Sequence, residues 1–167
     1  EQIALKYNKK EQIPVVITRT FNIIGPGQST NFVLSRFAKE IIKAKNNPKV
    51  KYLSVGNLKS ERDFIDVRDV THAYSILMDK GISGGIYNVC TEKIYSIEKC
   101  LKIMVEISKS SLKTKSDPSL IQRNDIITQR GTFAKIQKHT GWNPEINIQS
   151  SLRDLLEYWH NYHLISN

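Results

Sequence analysis

The spacing of apolar positions along the chain changes period several times, and each change marks an element. EQIALKYN, Glu1 to Asn8, puts Ile3, Ala4 and Tyr7 at the spacing of an amphipathic helix. IPVVIT, Ile13 to Thr18, is apolar and β-branched throughout, the pattern of a strand buried on both faces as in a parallel sheet. Helix followed by buried strand is half of an α/β unit. After a Gly-Pro-Gly turn, NFVLSRFAKEIIKAK carries Phe32, Val33, Phe37, Ile41 and Ala44 at helical spacing, with Asn31 as the expected N-cap. KYLSVG and RDFIDV read as short strands around the loop NLKSE, and RDVTHAYSILMDK as a helix with Val70, Ala73, Tyr74 and Leu77 inward. GGIYNVC reads as a strand entered through two glycines. Another helix starts at Ser96, with Glu98 in the first turn, where a carboxylate suits the dipole. KTKSDPSLIQRNDI reads as a polar, extended connection. TFAKIQKHTGW predicts a short helix stopped by Gly141, and QSSLRDLLEYWHNYH a closing helix with Leu152, Leu155, Leu156 and Trp159 on one face. Only the first part has the pattern of parallel α/β; the remainder reads as a smaller mixed domain.

Composition narrows the class. A chain of 167 residues that is 40% hydrophobic can bury a true core. No apolar run approaches the roughly 20 residues of a membrane helix, and no signal peptide opens the chain. A cytoplasmic protein without membrane contact is expected. The chain begins at Glu1 rather than Met, which reads as a piece of a longer protein. Cys90 and Cys100 have neither a disulfide-framework nor a zinc spacing and read as reduced core thiols. His160 and His163 stand three apart without a third ligand nearby, so no metal site is expected. His72 and His139 read as structural. The net charge of +9 comes from lysines spread over the whole chain, the pattern of a solvated basic surface. No stacking motif interleaves aromatic with basic residues, so nucleic acid is not expected as a partner.

Three stretches carry candidate chemistry. TRTFNIIGPGQS, Thr18 to Ser29, leaves an apolar strand through Asn22, whose amide can donate to a phosphate oxygen and accept from a hydroxyl, and enters a turn with Gly25 and Gly27. On these residues alone a ligand loop and an ordinary capped glycine turn are equally good readings. VGNLKSERDFIDVRDV, Val55 to Val70, holds Arg62, which can fork onto a phosphate, but a surface ion pair of Arg62 with Asp66 or of Arg68 with Asp69 explains it more simply. DPSLIQRNDI, Asp117 to Ile126, gathers Gln122, Arg123, Asn124 and Asp125 in what reads as a solvated loop.

Taken together, RTFNIIGPGQ, VGNLKSERDFIDVRDV, YNVC followed by YSI, RND and TGWNPEINIQSSLRDLLEYW resemble the C-terminal part of an extended short-chain dehydrogenase/reductase. This is the NAD-dependent epimerase/dehydratase family, which acts on nucleotide-diphosphate sugars. FNIIGPGQS, DPSLIQRND and LRDLLEYW are most similar to its GDP-mannose 4,6-dehydratase and GDP-6-deoxy-mannose reductase branch. The resemblance implies an α/β fold: the last parallel strands of a Rossmann-type NAD(P)-binding domain, residues 1–28, and a smaller mixed α/β sugar-nucleotide-binding domain, mainly residues 29–167 with segments returning to the Rossmann sheet. It also implies NAD or NADP as cofactor, a GDP-linked sugar as substrate, and a homodimer for the full-length protein. The expected reaction is reduction of a 4-keto deoxyhexose. Dehydration or epimerisation of a related nucleotide sugar is the alternative, and a non-catalytic nucleotide-sugar-binding module is the rival of another class.

Carried over residue by residue, the resemblance assigns Asn22 to the sugar-nucleotide phosphates and Arg62 to the diphosphate. Gly56 and Asn57 fall to the loop near base and ribose, and Asp125 to an acidic position near the ribose. Thr20, Phe21 and Ile23 fall beside the nicotinamide. No Tyr-x-x-x-Lys stands at the place the family expects, and no dinucleotide glycine fingerprint is found, so no catalytic residue is assigned and the chain alone is expected to be inactive. Four positions depart from the pattern. Gln122 stands where a second phosphate-binding arginine is usual, with Arg123 in place of the following proline. Glu92 stands where a glycine is common, and Ile23 where this branch often has histidine.

Overall fold

The computed structural model describes residues 1–47, 49–121 and 126–165. In chain order the elements are α1 (Gln2–Glu11), β1 (Ile17–Thr20), β2 (Asn22–Ile24), α2 (Val33–Asn46), β3 (Tyr52–Val55), β4 (Glu61–Asp66), α3 (Val67–Lys80), β5 (Ile86–Val89), β6 (Ile94–Ser96), α4 (Ile97–Ser108), β7 (Lys113–Ser116), a 3₁₀ turn Pro118–Leu120, α5 (Ala134–Thr140) and α6 (Ile148–Ile165). Contacts divide the chain into two compact units. One comprises residues 1–23, 63–93 and 130–146, the other residues 24–62, 94–129 and 147–167. A three-stranded sheet has the order β2-β4-β6.

In the first unit β1 pairs in parallel with β5, in register from Ile17 opposite Ile86 to Thr20 opposite Val89. A core of Ile65, Val70, Ala73, Leu77, Tyr87, Val89, Ile136 and Trp142 packs α3 and α5 around that pair. Asp66 caps α3 by accepting from the Arg68 backbone N–H at 2.9 Å, and it also takes the Arg68 guanidinium at 2.8 and 2.9 Å. Asp69, in the first turn of α3, accepts from the backbone N–H groups of Glu145 and Ile146 and so pins the end of this unit. The pairing expected between Arg68 and Asp69 is therefore replaced: Arg68 turns back to the cap, and Asp69 is buried against backbone. Tyr87 accepts from the Ile82 N–H at 3.1 Å and meets His139 Nδ1 at 3.0 Å, which gives that histidine its structural role.

Asp63 is fully buried in this unit. Its carboxylate accepts from the Thr91 N–H at 2.9 Å, the Thr91 hydroxyl at 2.7 Å and the Glu92 N–H at 2.8 Å. Strand β4 is thereby tied to the turn that follows β5. Burial raises the Asp63 pKa above its ordinary value, and the three donors only partly counter this.

Two expectations fail here for local reasons. The strand read over Ile13–Thr18 begins only at Ile17. Pro14 has no N–H to give, and the Val15 carbonyl is taken by the Gly84 N–H at 2.7 Å rather than by a ladder. Its residues are half-buried, and Ile13 is exposed, so the cover on both faces is not supplied by the residues of this chain. Tyr74, read as inward, lies partly exposed with its hydroxyl 2.7 Å from Thr20 Oγ1.

The second unit is held by α2, α4 and α6, which pack on one another through Leu34, Phe37, Ala38, Ile41, Leu101, Met104, Leu152 and Leu155. Trp159 belongs to this core and donates its indole N–H to Ser35 Oγ at 3.0 Å, while Ser35 donates to the Gln28 carbonyl. Ser96 caps α4 by accepting from the Lys99 N–H, as its position predicts. Asn31 does not cap α2: Phe32 occupies that place, 60% exposed and with no side-chain cap bond. The buried face is therefore rotated onto Leu34, Ser35, Ala38 and Ile42 beside Phe37 and Ile41. Strand β7, within the stretch expected to be a polar, extended connection, runs parallel to β3 from Tyr52 opposite Lys113 to Val55 opposite Ser116. All four β7 side chains are exposed, so its pairing is a matter of backbone alone and left no apolar trace.

Both cysteines are free and fully buried, and burial pushes each thiol up to about 12. Neither should react with Ellman's reagent near pH 8 in the native chain, and both should react after denaturation; a thiol that reacts at once would contradict their burial. Because the folded values lie above the ordinary 9.0, this contribution to stability is complete below pH 9 and is lost as pH rises towards 12. Asp63→Ala should cost about 2–4 kcal/mol in urea unfolding, since three buried donors lose their acceptor. The raised Asp63 pKa means that its proton favours the folded state. This contribution is complete below the ordinary 3.8 and fades as pH rises through the folded value, so the wild-type advantage over Asp63→Ala should be larger at pH near 3 than near 7. A gap independent of pH would show that Asp63 titrates as it does in the unfolded chain.

Candidate functional site

The first unit carries the candidate residues 20–23. They begin at the carboxyl end of β1, where open parallel sheets take their ligands. Phe21 donates its N–H to the Val89 carbonyl at 3.0 Å, extending the β1–β5 pairing by one residue. Its ring lies against Gly131, so close that a β-carbon there would stand 2.2 Å from Phe21 Cζ. Asn22 is half-buried and donates Nδ2–H to the Asp63 carbonyl at 2.9 Å. That bond sets the plane of an amide group able both to donate and to accept. Ile23 is 38% exposed on β2.

Glu92 makes the turn that the resemblance leaves to a glycine. Its φ is 61°, a left-handed conformation costing a side-chain-bearing residue about 1–2 kcal/mol. The cost is offset at both ends of the residue. Its N–H reaches the Asp63 carboxylate, and its own carboxylate accepts from the Thr132 hydroxyl at 2.6 Å and the Phe133 N–H at 2.9 Å.

The second unit carries Gly56, Asn57 and Arg62 on the strand–loop–strand from β3 to β4. Gly56 is required by a close approach, since a β-carbon there would stand 2.5 Å from the Leu120 carbonyl oxygen. Asn57 shapes the loop: it donates to Ser60 Oγ at 2.9 Å and accepts from the Lys59 N–H at 3.0 Å. Arg62 donates to the carbonyls of Glu61 and Ile126. Asp117 caps the 3₁₀ turn by accepting from the Ser119 N–H and hydroxyl at 3.0 and 2.6 Å, bonds that hold its carboxyl below the usual range. Gln122, Arg123 and Asp125 lie outside the described residues. Their flanks do not: Leu120 abuts Gly56, Ile126 meets Arg62, and Ile127 and Thr128 bond Glu61. Both ends of the candidate connection are thus anchored on the stretch from β3 to β4 that bears Gly56 and Arg62.

Asp63, Glu61 and Asp117 are the polar residues that reading by motif passed over as site-builders. Asp63 gave a faint signal, a carboxylate between Arg62 and the apolar pair Phe64 and Ile65. Among the described residues no group of His, Cys, Asp and Glu could hold a metal ion. No described helix is long and apolar enough to cross a membrane.

The chain is similar in sequence and fold to known proteins. Residues 1–155 match the model of the GDP-mannose 4,6 dehydratase family. The chain is 36% identical over 159 residues to GDP-6-deoxy-D-mannose reductase of Pseudomonas aeruginosa, covering 95% of this chain and 52% of that protein. It is 30% identical over 165 residues to GDP-6-deoxy-D-talose 4-dehydrogenase of Aggregatibacter actinomycetemcomitans, covering 99% and 53%. The solved structure of RMD from Pseudomonas aeruginosa complexed with NADPH matches with a TM-score of 0.91 at 34% identity, over 96% of this chain and 53% of that one. The chain therefore spans about half the length of the curated relatives it matches. Its fold is the α/β fold of the C-terminal part of Rossmann-type extended short-chain dehydrogenases/reductases, and the chain belongs to the GDP-mannose 4,6-dehydratase family.

Proposed function

We propose that this chain is the substrate-binding part of a nicotinamide-dependent enzyme that reduces the 4-keto group of a GDP-linked deoxyhexose. The observation that carries the reading is the Asn22 amide, oriented by the Asp63 carbonyl at the end of a parallel strand, in a chain 36% identical to a GDP-6-deoxy-D-mannose reductase. Asn22 donates to a phosphate oxygen and Arg62 pairs with the diphosphate. Gly56 and Asn57 shape the loop beside the nucleoside, and the connection bearing Gln122, Arg123 and Asp125 completes the grip. Thr20, Phe21 and Ile23 fit the edge of a nicotinamide: they follow one another at a strand end, and Ile23 presents apolar surface there. NAD or NADP, when bound, supplies the hydride. The residues of this chain hold and orient; no Tyr-x-x-x-Lys stands at the family's place for proton transfer, so the chain by itself binds without turning over. Two free, buried thiols suit a reducing cytoplasm. The family model, named for a dehydratase, favours sugar-nucleotide dehydration as the second reading.

Calorimetric titration with GDP-mannose tests the binding claim. Arg62→Ala should weaken binding about 10- to 100-fold, the loss of a charge-assisted contact, with Arg62→Lys intermediate. Duplex DNA should compete poorly at physiological salt. Unchanged affinity in a folded Arg62→Ala chain would remove Arg62 from the site, and tighter binding to DNA than to GDP-mannose would overturn the reading as a whole.

A further inference from the structure

The contacts around Glu92 form a continuous path inside the first unit. Its N–H is held by the buried Asp63 carboxylate at 2.8 Å. Its carboxylate, through Oε1, accepts from the Thr132 hydroxyl at 2.6 Å and the Phe133 N–H at 2.9 Å. The Thr132 hydroxyl in turn accepts from the Ala134 N–H at 3.2 Å, and the Thr132 carbonyl accepts from Asn88 Nδ2 at 3.3 Å. Phe133 packs on the core and meets the Trp142 ring edge-on at 5.9 Å. Gly131, the residue before this anchored pair, lies on the end of the Phe21 ring. A β-carbon there would stand 2.2, 2.8 and 2.9 Å from Cζ, Cε2 and Cε1. The other side of the same path reaches the next residue of β1's exit, because the Asp63 carbonyl accepts from the Asn22 amide.

We infer that Glu92 is a positioning residue of the candidate site: by accepting from Thr132 and Phe133, it holds Gly131 against Phe21 and so sets the place of the Phe21 ring. Phe21 and Asn22 are then located from one buried residue, Asn22 directly by the Asp63 carbonyl and Phe21 through Glu92. A glycine at position 92 would make the same left-handed turn without strain but could not make this hold, because it has no acceptor to offer residues 132 and 133. The importance of the ring for a nicotinamide rests on the function proposed above; the hold itself does not.

The test tracks the Gly131 α-proton and amide resonances by NMR in this chain. Seated at the ring edge, the Gly131 α-protons carry a ring-current shift that reports the Phe21–Gly131 contact, and its loss in Phe21→Leu identifies the ring as its source. Four chains that keep the ring are compared: wild type, Glu92→Gln, Glu92→Gly and Thr132→Val. Wild type and Glu92→Gln, which keeps an accepting oxygen, should share the shift. Glu92→Gly should lose it while keeping its melting midpoint, because the turn is relaxed as the acceptor is removed. Thr132→Val, which leaves residue 92 untouched, should lose it in part, and it decides the matter if Glu92→Gly does not fold. A retained shift in folded Glu92→Gly, a retained shift in Thr132→Val, or a loss as complete in Glu92→Gln as in Glu92→Gly would each overturn the assignment. GDP-mannose titration of the wild type is run alongside. Its failure would sink the proposed function and leave the Gly131 result standing.

Discussion

A carboxylate removed from water must be met by donors or expelled, and Asp63 is one that is met. Its two oxygens take the Thr91 N–H, the Thr91 hydroxyl and the Glu92 N–H in a fully buried setting. The desolvation of the charge still outweighs these donors, which is why its pKa is raised. A group held at such cost specifies geometry. It ties β4 to the turn after β5, and through its backbone carbonyl it orients Asn22. The left-handed Glu92 depends on it as well, since one of the bonds that offset its strain goes to this carboxylate.

The second unit works by a different means. Its three helices bury an apolar seam, with Trp159 and Ser35 as a polar pair inside it. The described candidate residues, Gly56, Asn57 and Arg62, stand on the loop after β3 and the start of β4 and are not among the residues of that seam. A rigid helical support with binding groups on the loops is the usual division of labour in such domains. Here the loops are also fastened to one another, by the contact of Gly56 with Leu120 and the bond from Arg62 to Ile126. Those fastenings set the spacing of Gly56 and Arg62 from the two flanks, Leu120 and Ile126, of the connection.

Helical periodicity located most of the architecture. The stretches that became α3, α4, α5 and α6 were legible because their apolar faces, the Ser96 cap and the stop at Gly141 all agree. Where the reading failed, the deciding force was not in the local pattern. Asn31 is a good capping residue, yet α2 begins two residues later with Phe32 in the cap position. Lys113–Ser116 became a strand because β3 offered it backbone partners, and its exposed polar side chains record nothing of that. Arg68 chose the cap residue Asp66 over Asp69, whose oxygens were claimed by backbone N–H groups more than seventy residues away.

The sequence by itself determined the class of fold, the family, and the identity of the groups available for binding, because periodicity, turn residues and motif order are local properties of a chain. It could name Asn22, Arg62 and Gly56, but it could not say what holds them. Tertiary structure decided that, through pairs far apart along the chain: Asn22 with Asp63, Gly56 with Leu120, Arg62 with Ile126, Gly131 with Phe21. It also turned the departure at Glu92 from a doubtful turn into an anchoring residue, since only the folded chain brings Thr132 and Phe133 to its carboxylate. Buried polar groups must find partners wherever the fold supplies them, and the address of a partner forty or more residues distant is written in packing, not in local sequence.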